Sequence, residues 1–248
     1  NPEEINVKIE LQPGDIGQSA ADLVVVNLFQ GETTPGGATG AVDRALGGAI
    51  SDVIAAGDFS GKSGETLVLY TRGALPAPRV LVVGLGESSK FDLAAVRTAS
   101  ATAVRKARDL GAQTVATIVH GAGIGGLEPT KAAAALVEGT RLGLYRYAGY
   151  RSVPPKDWKP DPETLIVVER GRENLPAFEA GLARGEAVAQ GVALARDMVN
   201  TPANHMTPTI MAERAQALAR ETGLKFQALG RAGCKALGMG IFMAVAEE

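Results

Sequence analysis

The sequence has few of the residues that build disulfides, metal clusters or charged interaction surfaces. Its 248 residues include one cysteine and two histidines, and 25 Lys and Arg nearly balance 27 Asp and Glu. The single cysteine, Cys234, excludes an internal disulfide and a Cys-x-x-Cys metal cluster, so we expect a reducing, cytoplasmic location. A formal net charge of -2 creates no field that would attract nucleic acid. No nucleic-acid partner is therefore expected.

Long apolar runs and internal repeats are also missing. The opening stretch, NPEEINVKIE, carries three acids and lacks the apolar core of a signal peptide. We therefore expect no leader, no membrane anchor and no membrane partner. Hydrophobic residues nevertheless make up 46% of the chain, enough for a sizeable core. These features are typical of a folded globular protein.

Short apolar runs alternate with longer segments of helical periodicity. The runs are rich in Val, Ile and Leu and are bounded by Gly, Pro or charged residues, which is typical of buried strands. They predict strands at Asn6–Leu11, Leu23–Phe29, Glu65–Tyr70, Arg79–Gly84, Thr114–His120 and Thr164–Val168. The intervening periodicity predicts helices at Gly40–Ala56, Asp92–Leu110 and Pro129–Tyr147. This alternation predicts an α/β sheet flanked by helices.

A long helix is predicted after the last of these strands, from Asn174 to Val199. Its apolar residues recur at steps of three and four, with the step between Leu182 and Val188 carried by Gly185: Phe178, Leu182, Val188, Val192, Ala195 and Val199. A helix of about 24 residues runs roughly 36 Å, which suits a connecting strut. Glycine weakens a helix interior, so we expect Gly181, Gly185 and Gly191 to pack closely against another backbone.

The helix is followed by an unusual joint, NTPANHMTP. Pro202 pushes Thr201 out of the helical region and ends the strut. Thr207 is predicted to cap a second helix that has Pro208 at its first position and closes at Gly223. Beyond it the pattern predicts a strand at Lys225–Leu229, a short helix at Ala232–Leu237 and a final strand at Ile241–Ala246.

These patterns divide the chain into an α/β domain at 1–173, a linker helix at 174–199 and the start of a second α/β domain at 200–248. The segments ALARDMVNTPANHMTP and LKFQALGRAGCKALGMGIFMAV resemble the leucyl aminopeptidase family of two-metal exopeptidases. Upstream, SGKSGETLVLY and VLVVGLGESSKFDLAAVRTAS are similar to the same family. The resemblance covers most of the chain. It implies a macro-domain-like mixed sheet joined by a long helix to a catalytic domain.

The resemblance also implies a function for the whole enzyme. It would release N-terminal amino acids from peptides, using two divalent ions, commonly zinc or manganese, to activate a bridging water. Members of the family are typically homo-hexamers. Their metal ligands lie on segments that follow the end of this chain, so no residue here is assigned a catalytic, cofactor-binding or metal role. We therefore expect the chain alone to be inactive; the alternative of a catalytically dead assembly subunit stays open.

The residues themselves also argue against a metal centre in this chain. After Asn200 the only carboxylates are Glu213, Glu221, Glu247 and Glu248. The two histidines, His120 and His205, fall in different predicted domains. A dinuclear centre needs several converging oxygen or nitrogen ligands. We interpret His120, at a predicted strand end, as a structural histidine.

Three glycine-rich stretches could be mistaken for nucleotide-binding motifs. Gly61-Lys62-Ser63 lacks the first glycine of a phosphate loop, and its context is helix then strand, the reverse of what that loop needs. Residues 121–126 match G-x-G-x-x-G after a strand, but no strand ending in an acid follows about 20 residues later. Gly84-Leu85-Gly86 lacks its third glycine, because Ser89 stands there. We expect all three to be ordinary turns.

The stretch from Asn27 to Gly48, NLFQGETTPGGATGAVDRALGG, carries the main alternative function. A strand ending in Asn, a glycine-rich loop and a helix resemble the arrangement with which macro domains hold ADP-ribose. The backbone N-H groups of residues 36–40 could bind phosphate at a helix start. Because a fold persists without its ligand, we expect nucleotide binding here to be weak or absent. A nucleotide-binding or ADP-ribose-binding module remains the alternative.

Overall fold

A computed structural model of the chain describes residues 7–122, 125–147, 149 and 158–245. The chain forms two compact units, residues 1–194 and 195–248. The predicted domain division at 173/174 and 199/200 stays a prediction. No helix within the described ranges is both long enough and apolar enough to cross a lipid bilayer.

Within the described residues of the first unit, six strands form one sheet. They are β1 (Lys8–Pro13), β2 (Leu23–Phe29), β3 (Thr66–Tyr70), β4 (Arg79–Gly86), β5 (Thr114–Thr117) and β6 (Thr164–Glu169). Their order across the sheet is β1-β6-β5-β2-β4-β3, and β3 pairs antiparallel with β4 while the other pairs are parallel. The prediction of a mixed sheet is confirmed.

The helices, numbered along the chain, cover both faces of this sheet and continue into the second unit. They are α1 (Gly37–Ala45), α2 (Ala49–Ala56), α3 (Leu93–Asp109), α4 (Pro129–Leu144), α5 (Leu175–Asn200), α6 (Pro208–Thr222), α7 (Arg231–Ala236) and α8 (Gly240–Val245). Side chains from α3, α4 and α5 pack in one apolar cluster, against β-strand residues such as Val25 and Leu81. Side chains from α1 and α2 pack in a second cluster with Val24 and Val82. Because successive strand residues point to opposite faces, the sheet is buried on both sides.

Three of the predicted strands differ from the observed ones by two residues or more at an end, and β3 and β6 differ by one residue. β1 begins at Lys8 and extends to Pro13, and Asn6, the predicted start, lies outside the described residues. β4 continues two residues beyond the predicted end at Gly84. β5 is shorter than predicted, because its backbone ladder with β2 and β6 stops at Thr117. Beyond that point His120 contacts β2 through its side chain instead.

The single helix predicted at Gly40–Ala56 is wrong, since α1 and α2 are separate helices. Gly47 and Gly48 between them adopt φ angles of 67° and 91°, in the left-handed region that breaks a helix. Asp43 stabilises the break, because its carboxylate accepts hydrogen bonds from the backbone N-H groups of Ile50 and Ser51 at 2.8 and 3.2 Å. A side chain from one helix therefore caps the start of the next.

The long helix predicted at 174–199 is confirmed as α5. Two of its three glycines pack as expected: a Cβ on Gly181 would lie 2.4 Å from the carbonyl oxygen of Thr130, and one on Gly185 would lie 2.5 Å from that of Ala134. The expectation for Gly191 is wrong, because nothing lies within 4 Å of a Cβ placed there. Glycine thus lets α5 approach the backbone of α4 over two turns.

The apolar stripe of α5 is buried at its start, which leads to a test. Phe178 is fully buried, and Leu182 is partly buried against the same apolar cluster. We expect Leu182→Ala to lower the free energy of unfolding of the first unit by roughly 2 kcal/mol, at the low end of the range for buried leucines. Urea unfolding followed through Trp158 measures it. A loss below about 0.5 kcal/mol would place Leu182 among surface residues.

The second unit confirms the predicted helix after the joint and corrects the segments beyond it. Thr207 caps α6 by accepting from the N-H of Ile210 at 3.3 Å, Pro208 is the first helical residue, and Gly223 closes the helix with a φ of 72°. The predicted short helix is present as α7. The strand predicted at Lys225–Leu229 is wrong, because those residues form no regular element.

The final strand predicted at Ile241–Ala246 is also wrong: Gly240–Val245 forms the helix α8, and residue 246 lies outside the described residues. A strand needs a neighbouring strand for its backbone hydrogen bonds. Among the described residues of the second unit none is a strand, and a helix satisfies those groups locally. An apolar run this short does not distinguish the two states by periodicity.

Candidate functional site

A cleft of about 540 Å³ opens at the carboxyl end of the parallel strands. Its lining comes from the residues that follow β1 and β5, from the end of β6, from β2 and β4, and from α1. The chain runs from β2 outward to β4 on one side and to β5 and β6 on the other, so the strand order reverses beside β2. In open α/β sheets such a reversal creates the crevice in which ligands bind.

One wall of the cleft is the start of α1. Gly36 precedes the helix without any side-chain cap, and no acidic residue lies in the first turn. The backbone N-H groups of Gly37, Ala38 and Thr39 come too early in the helix to have intrahelical acceptors. Gly40 allows this turn to form, because a Cβ there would lie 2.3 Å from the carbonyl oxygen of Pro35. The wall therefore presents backbone donors and a partial positive charge.

The floor of the cleft includes Asn27, which is held by two contacts. The hydroxyl of Thr39 donates to the backbone carbonyl of Asn27 at 2.6 Å, which ties α1 to β2. The amide of Asn27 lies 2.8 Å from Nδ1 of His120. With the amide donating, Nδ1 is the acceptor and the ring proton is on Nε2.

His120 is almost completely buried, with 1% of its surface exposed. Burial lowers its pKa from the usual 6.5 to about 4, so the ring is neutral at pH 7. A neutral ring can keep Nδ1 as an acceptor for Asn27. The expectation of a structural histidine agrees with this arrangement, since His120 fixes a side chain that lines the cleft.

Charged side chains also line the cleft. Asp15 follows β1 and accepts from the N-H of Gly17 at 2.9 Å, while Glu169 ends β6 and accepts from the N-H of Gly171 at 3.0 Å. Two arginines, Arg44 of α1 and Arg170 after β6, complete the charged lining. The cleft thus combines carboxylates at the β1 and β6 side with backbone donors at α1.

The sequence pattern did not predict Asp15, Glu169 or Arg170 as site residues. Glu169 directly follows the predicted strand at Thr164–Val168, and Asp15 lies shortly after the first predicted strand. The carboxyl ends of parallel strands meet at one edge of a sheet. Acids just after two predicted strands could therefore have indicated that these side chains line a common cleft.

The other glycine-rich stretches have structural roles where they are described. The carbonyl of Gly61 accepts from the N-H of Gly86 at 2.9 Å, and the N-H of Lys62 donates to the carboxylate of Glu65 at 3.0 Å. The backbone groups of this loop are therefore hydrogen-bonded to β4 and within the loop's own turn. In the stretch 121–126, Gly121 and Gly125 line the cleft, and residues 123 and 124 lie outside the described residues.

The donor set in the described part of the chain does not fit a dinuclear metal centre. No three His, Cys, Asp or Glu side chains come together there. Glu213 and Glu221 are exposed and eight positions apart on α6, which separates them by about 12 Å along the axis. Cys234 is buried, with its thiol 3.8 Å from the carbonyl oxygen of Leu229. His205 lies in the joint of the second unit.

Comparison with known proteins identifies the family. The sequence model of the N-terminal domain of the cytosol aminopeptidase family matches residues 25–154, and that of the catalytic domain matches residues 193–247. The chain belongs to the cytosol aminopeptidase family. A probable cytosol aminopeptidase of Roseiflexus castenholzii is 37% identical over 242 residues, which cover 97% of this chain and 46% of the relative. The chain thus spans about half the length of that relative.

Solved structures agree with this family and with the fold. A mutant of tomato leucine aminopeptidase superposes with a TM-score of 0.77 and 26% identity, over 94% of this chain and 46% of that one. The bottromycin maturation enzyme BotP in complex with Mn gives 0.64 and 29%, over 88% and 40%. The macrodomain of Trypanosoma brucei in complex with ADP-ribose gives 0.55 and 20%, over 72% and 71%. This last likeness confirms the predicted macro-domain type of fold and shows the fold alone.

Proposed function

We propose that this chain is the non-catalytic N-terminal portion of a metal-dependent aminopeptidase that releases N-terminal amino acids from peptides. The observation that carries the proposal is the match to both domains of the cytosol aminopeptidase family, in order along the chain. On this proposal, residues 25–154 belong to the N-terminal domain and residues 193–247 enter the catalytic domain. The complete enzyme would be a cytoplasmic homo-hexamer, as the resemblance to leucyl aminopeptidases implies.

The proposal assigns the metals to the complete enzyme rather than to this chain. When bound, two divalent ions would supply an activated water for hydrolysis of the peptide bond, and zinc or manganese are the candidates. The BotP complex with Mn supports a divalent ion in this fold. The described residues of this chain offer no group of three suitable ligands.

An aminopeptidase assay combined with metal analysis of the purified chain tests the proposal. The purified chain should not hydrolyse leucyl-p-nitroanilide, even with added zinc or manganese, because divalent ions of this kind are held by converging His, Asp, Glu or Cys groups. After dialysis it should retain less than one metal ion per chain. The positive control is a full-length relative assayed in parallel. Two retained metals with turnover by the chain alone would contradict the proposal and would place ligands among residues interpreted here as structural.

A further inference from the structure

A small inner cavity lies within the core of the first unit, between the sheet and the helices α3 and α4. The space open to water there is about 10 Å³, which is about the volume that a single water molecule needs. Every residue that lines the inner cavity is buried. The inner cavity is therefore closed to the solvent, and it has room for one water-sized ligand.

Polar side chains make up an unusual part of the lining. They are Ser100 of α3, Thr117 at the end of β5, His120 and Thr140 of α4, and none of them exposes more than 3% of its surface. The rest of the lining is apolar. A polar group in such surroundings destabilises the fold unless it has a hydrogen-bond partner. Four polar side chains around one small cavity therefore indicate a polar ligand.

Two of these side chains have a donor that no described residue accepts. Nδ1 of His120 accepts from the amide of Asn27, so the ring proton is on Nε2, and the described residues offer no acceptor for it. The hydroxyl of Thr140 also has no hydrogen-bond partner in the described part of the chain. There, every side-chain nitrogen or oxygen that is sealed from open space does have a partner. Nε2 and the Thr140 hydroxyl therefore face the cavity that they line.

The other two side chains supply acceptors. The hydroxyl of Ser100 donates to the carbonyl oxygen of Val96 at 2.9 Å, and that of Thr117 donates to the carbonyl oxygen of Ile118 at 3.3 Å. A hydroxyl that donates its hydrogen can still accept through its lone pairs. The inner cavity thus offers two donors and two acceptors, which match the hydrogen-bonding capacity of one buried water molecule.

We propose that the inner cavity binds one ordered water molecule, which accepts from Nε2 of His120 and from the hydroxyl of Thr140 and donates to the hydroxyl oxygens of Ser100 and Thr117. A cation could not accept from the two donors. The water joins the sheet to α3 and α4 and holds the ring proton on Nε2. Nδ1 then stays an acceptor for Asn27, so the water positions a side chain that lines the cleft.

A crystal structure of the complete chain at about 1.5 Å resolution tests the proposal. One water should lie within about 3.2 Å of both Nε2 of His120 and the hydroxyl of Thr140. In solution, NMR should place the ring proton of His120 on Nε2 and show a nuclear Overhauser effect between that proton and water. An empty cavity, a direct bond from Nε2 to a protein acceptor, or a ring proton on Nδ1 would each overturn the proposal.

Thr140→Val distinguishes a hydrated cavity from a dry one by the sign of its effect on stability. Valine has nearly the shape of threonine, but it cannot donate to the water. If the water is present, it loses a partner, and the equilibrium constant for unfolding should rise about 10-fold. In a dry cavity the same change removes an unsatisfied hydroxyl, so the constant would stay the same or fall. Either of these last two results would overturn the proposal.

Thr98→Val is the matched control, because it makes the same change on the exposed side of a helix. The hydroxyl of Thr98 donates to the carbonyl oxygen of Ala94 at 3.0 Å, where solvent can replace it. Its unfolding constant should stay within about 3-fold of wild type. An effect at Thr140 no larger than at Thr98 would contradict a water bound by the Thr140 hydroxyl. The wild-type crystal structure decides the proposal if Thr140→Val does not fold.

Discussion

Replacing Gly185 by Ala should lower the free energy of unfolding of the first unit by about 2–3 kcal/mol, although alanine favours a helix over glycine by up to about 1 kcal/mol. The added Cβ would lie 2.5 Å from the carbonyl oxygen of Ala134 and 2.8 Å from Cβ of Val137. Both neighbours belong to α4, and a backbone carbonyl cannot rotate away as the end of a flexible side chain can. The two helices would have to separate, and the apolar contacts around Phe178 would loosen with them.

Gly191→Ala is the matched control, because it makes the same substitution in the same helix. Gly191 is exposed, and no atom lies within 4 Å of a Cβ placed there. Helix propensity alone then applies, and the first unit should gain about 0.5–1 kcal/mol. Urea unfolding followed through Trp158, the only tryptophan in the sequence, reports on the first unit in both variants. Equal effects at the two positions would show that α5 does not pack on α4 through Gly185.

The contrast between these glycines shows what sequence periodicity could and could not predict. A run of 26 residues with apolar steps of three and four was enough to predict α5 and its end at Asn200 to within one residue. Glycine indicated a close approach correctly at Gly181 and Gly185 and wrongly at Gly191. The sequence pattern identifies a position where a small residue is tolerated, but the partner backbone comes from α4, about 50 residues earlier in the chain.

The errors in the second unit have a different cause. Lys225–Leu229 alternates polar and apolar residues and Ile241–Val245 is an apolar run, and both have the length of a strand. The described structure nevertheless has the first as irregular backbone and the second within α8. Strand formation depends on a neighbouring strand, and the local sequence does not specify which segment that is. In the first unit every predicted strand has a neighbouring strand, and the strand predictions there are confirmed apart from their ends.

The candidate site could be predicted only in part, because its residues come from five separate stretches of the chain. The glycine-rich turn after Asn27 is a local pattern and was recognisable. The pairing of Asn27 with His120 joins residues 93 positions apart, and it depends on β5 lying beside β2. Asp15 and Glu169 come together only because β1 and β6 are neighbours at the edge of the sheet.

Burial of His120 should make the first unit lose about 3 kcal/mol of stability between pH 7 and pH 4. Its pKa is about 4 in the folded protein and 6.5 when exposed. Because the pKa of His120 is lower in the folded protein, between pH 6.5 and pH 4 the unfolded chain binds a proton at this residue and the folded chain does not. The free energy of unfolding therefore falls as the pH falls from 6.5 to 4. Each pKa unit corresponds to about 1.4 kcal/mol, which gives the expected magnitude. Protonation of the ring would also remove the acceptor at Nδ1, so the hydrogen bond from the amide of Asn27 would be lost.

His120→Asn is the variant that isolates this effect. Asparagine does not titrate, and its oxygen can accept from Asn27 near the position of Nδ1. The variant should be less stable at pH 7 because the smaller side chain leaves a cavity. Its stability should nevertheless fall by about 3 kcal/mol less than that of wild type between pH 7 and pH 4. Urea unfolding at a series of pH values measures both slopes. Parallel curves would mean that His120 does not stay neutral in the folded protein, and the fixed orientation of Asn27 in the cleft would then lose its basis.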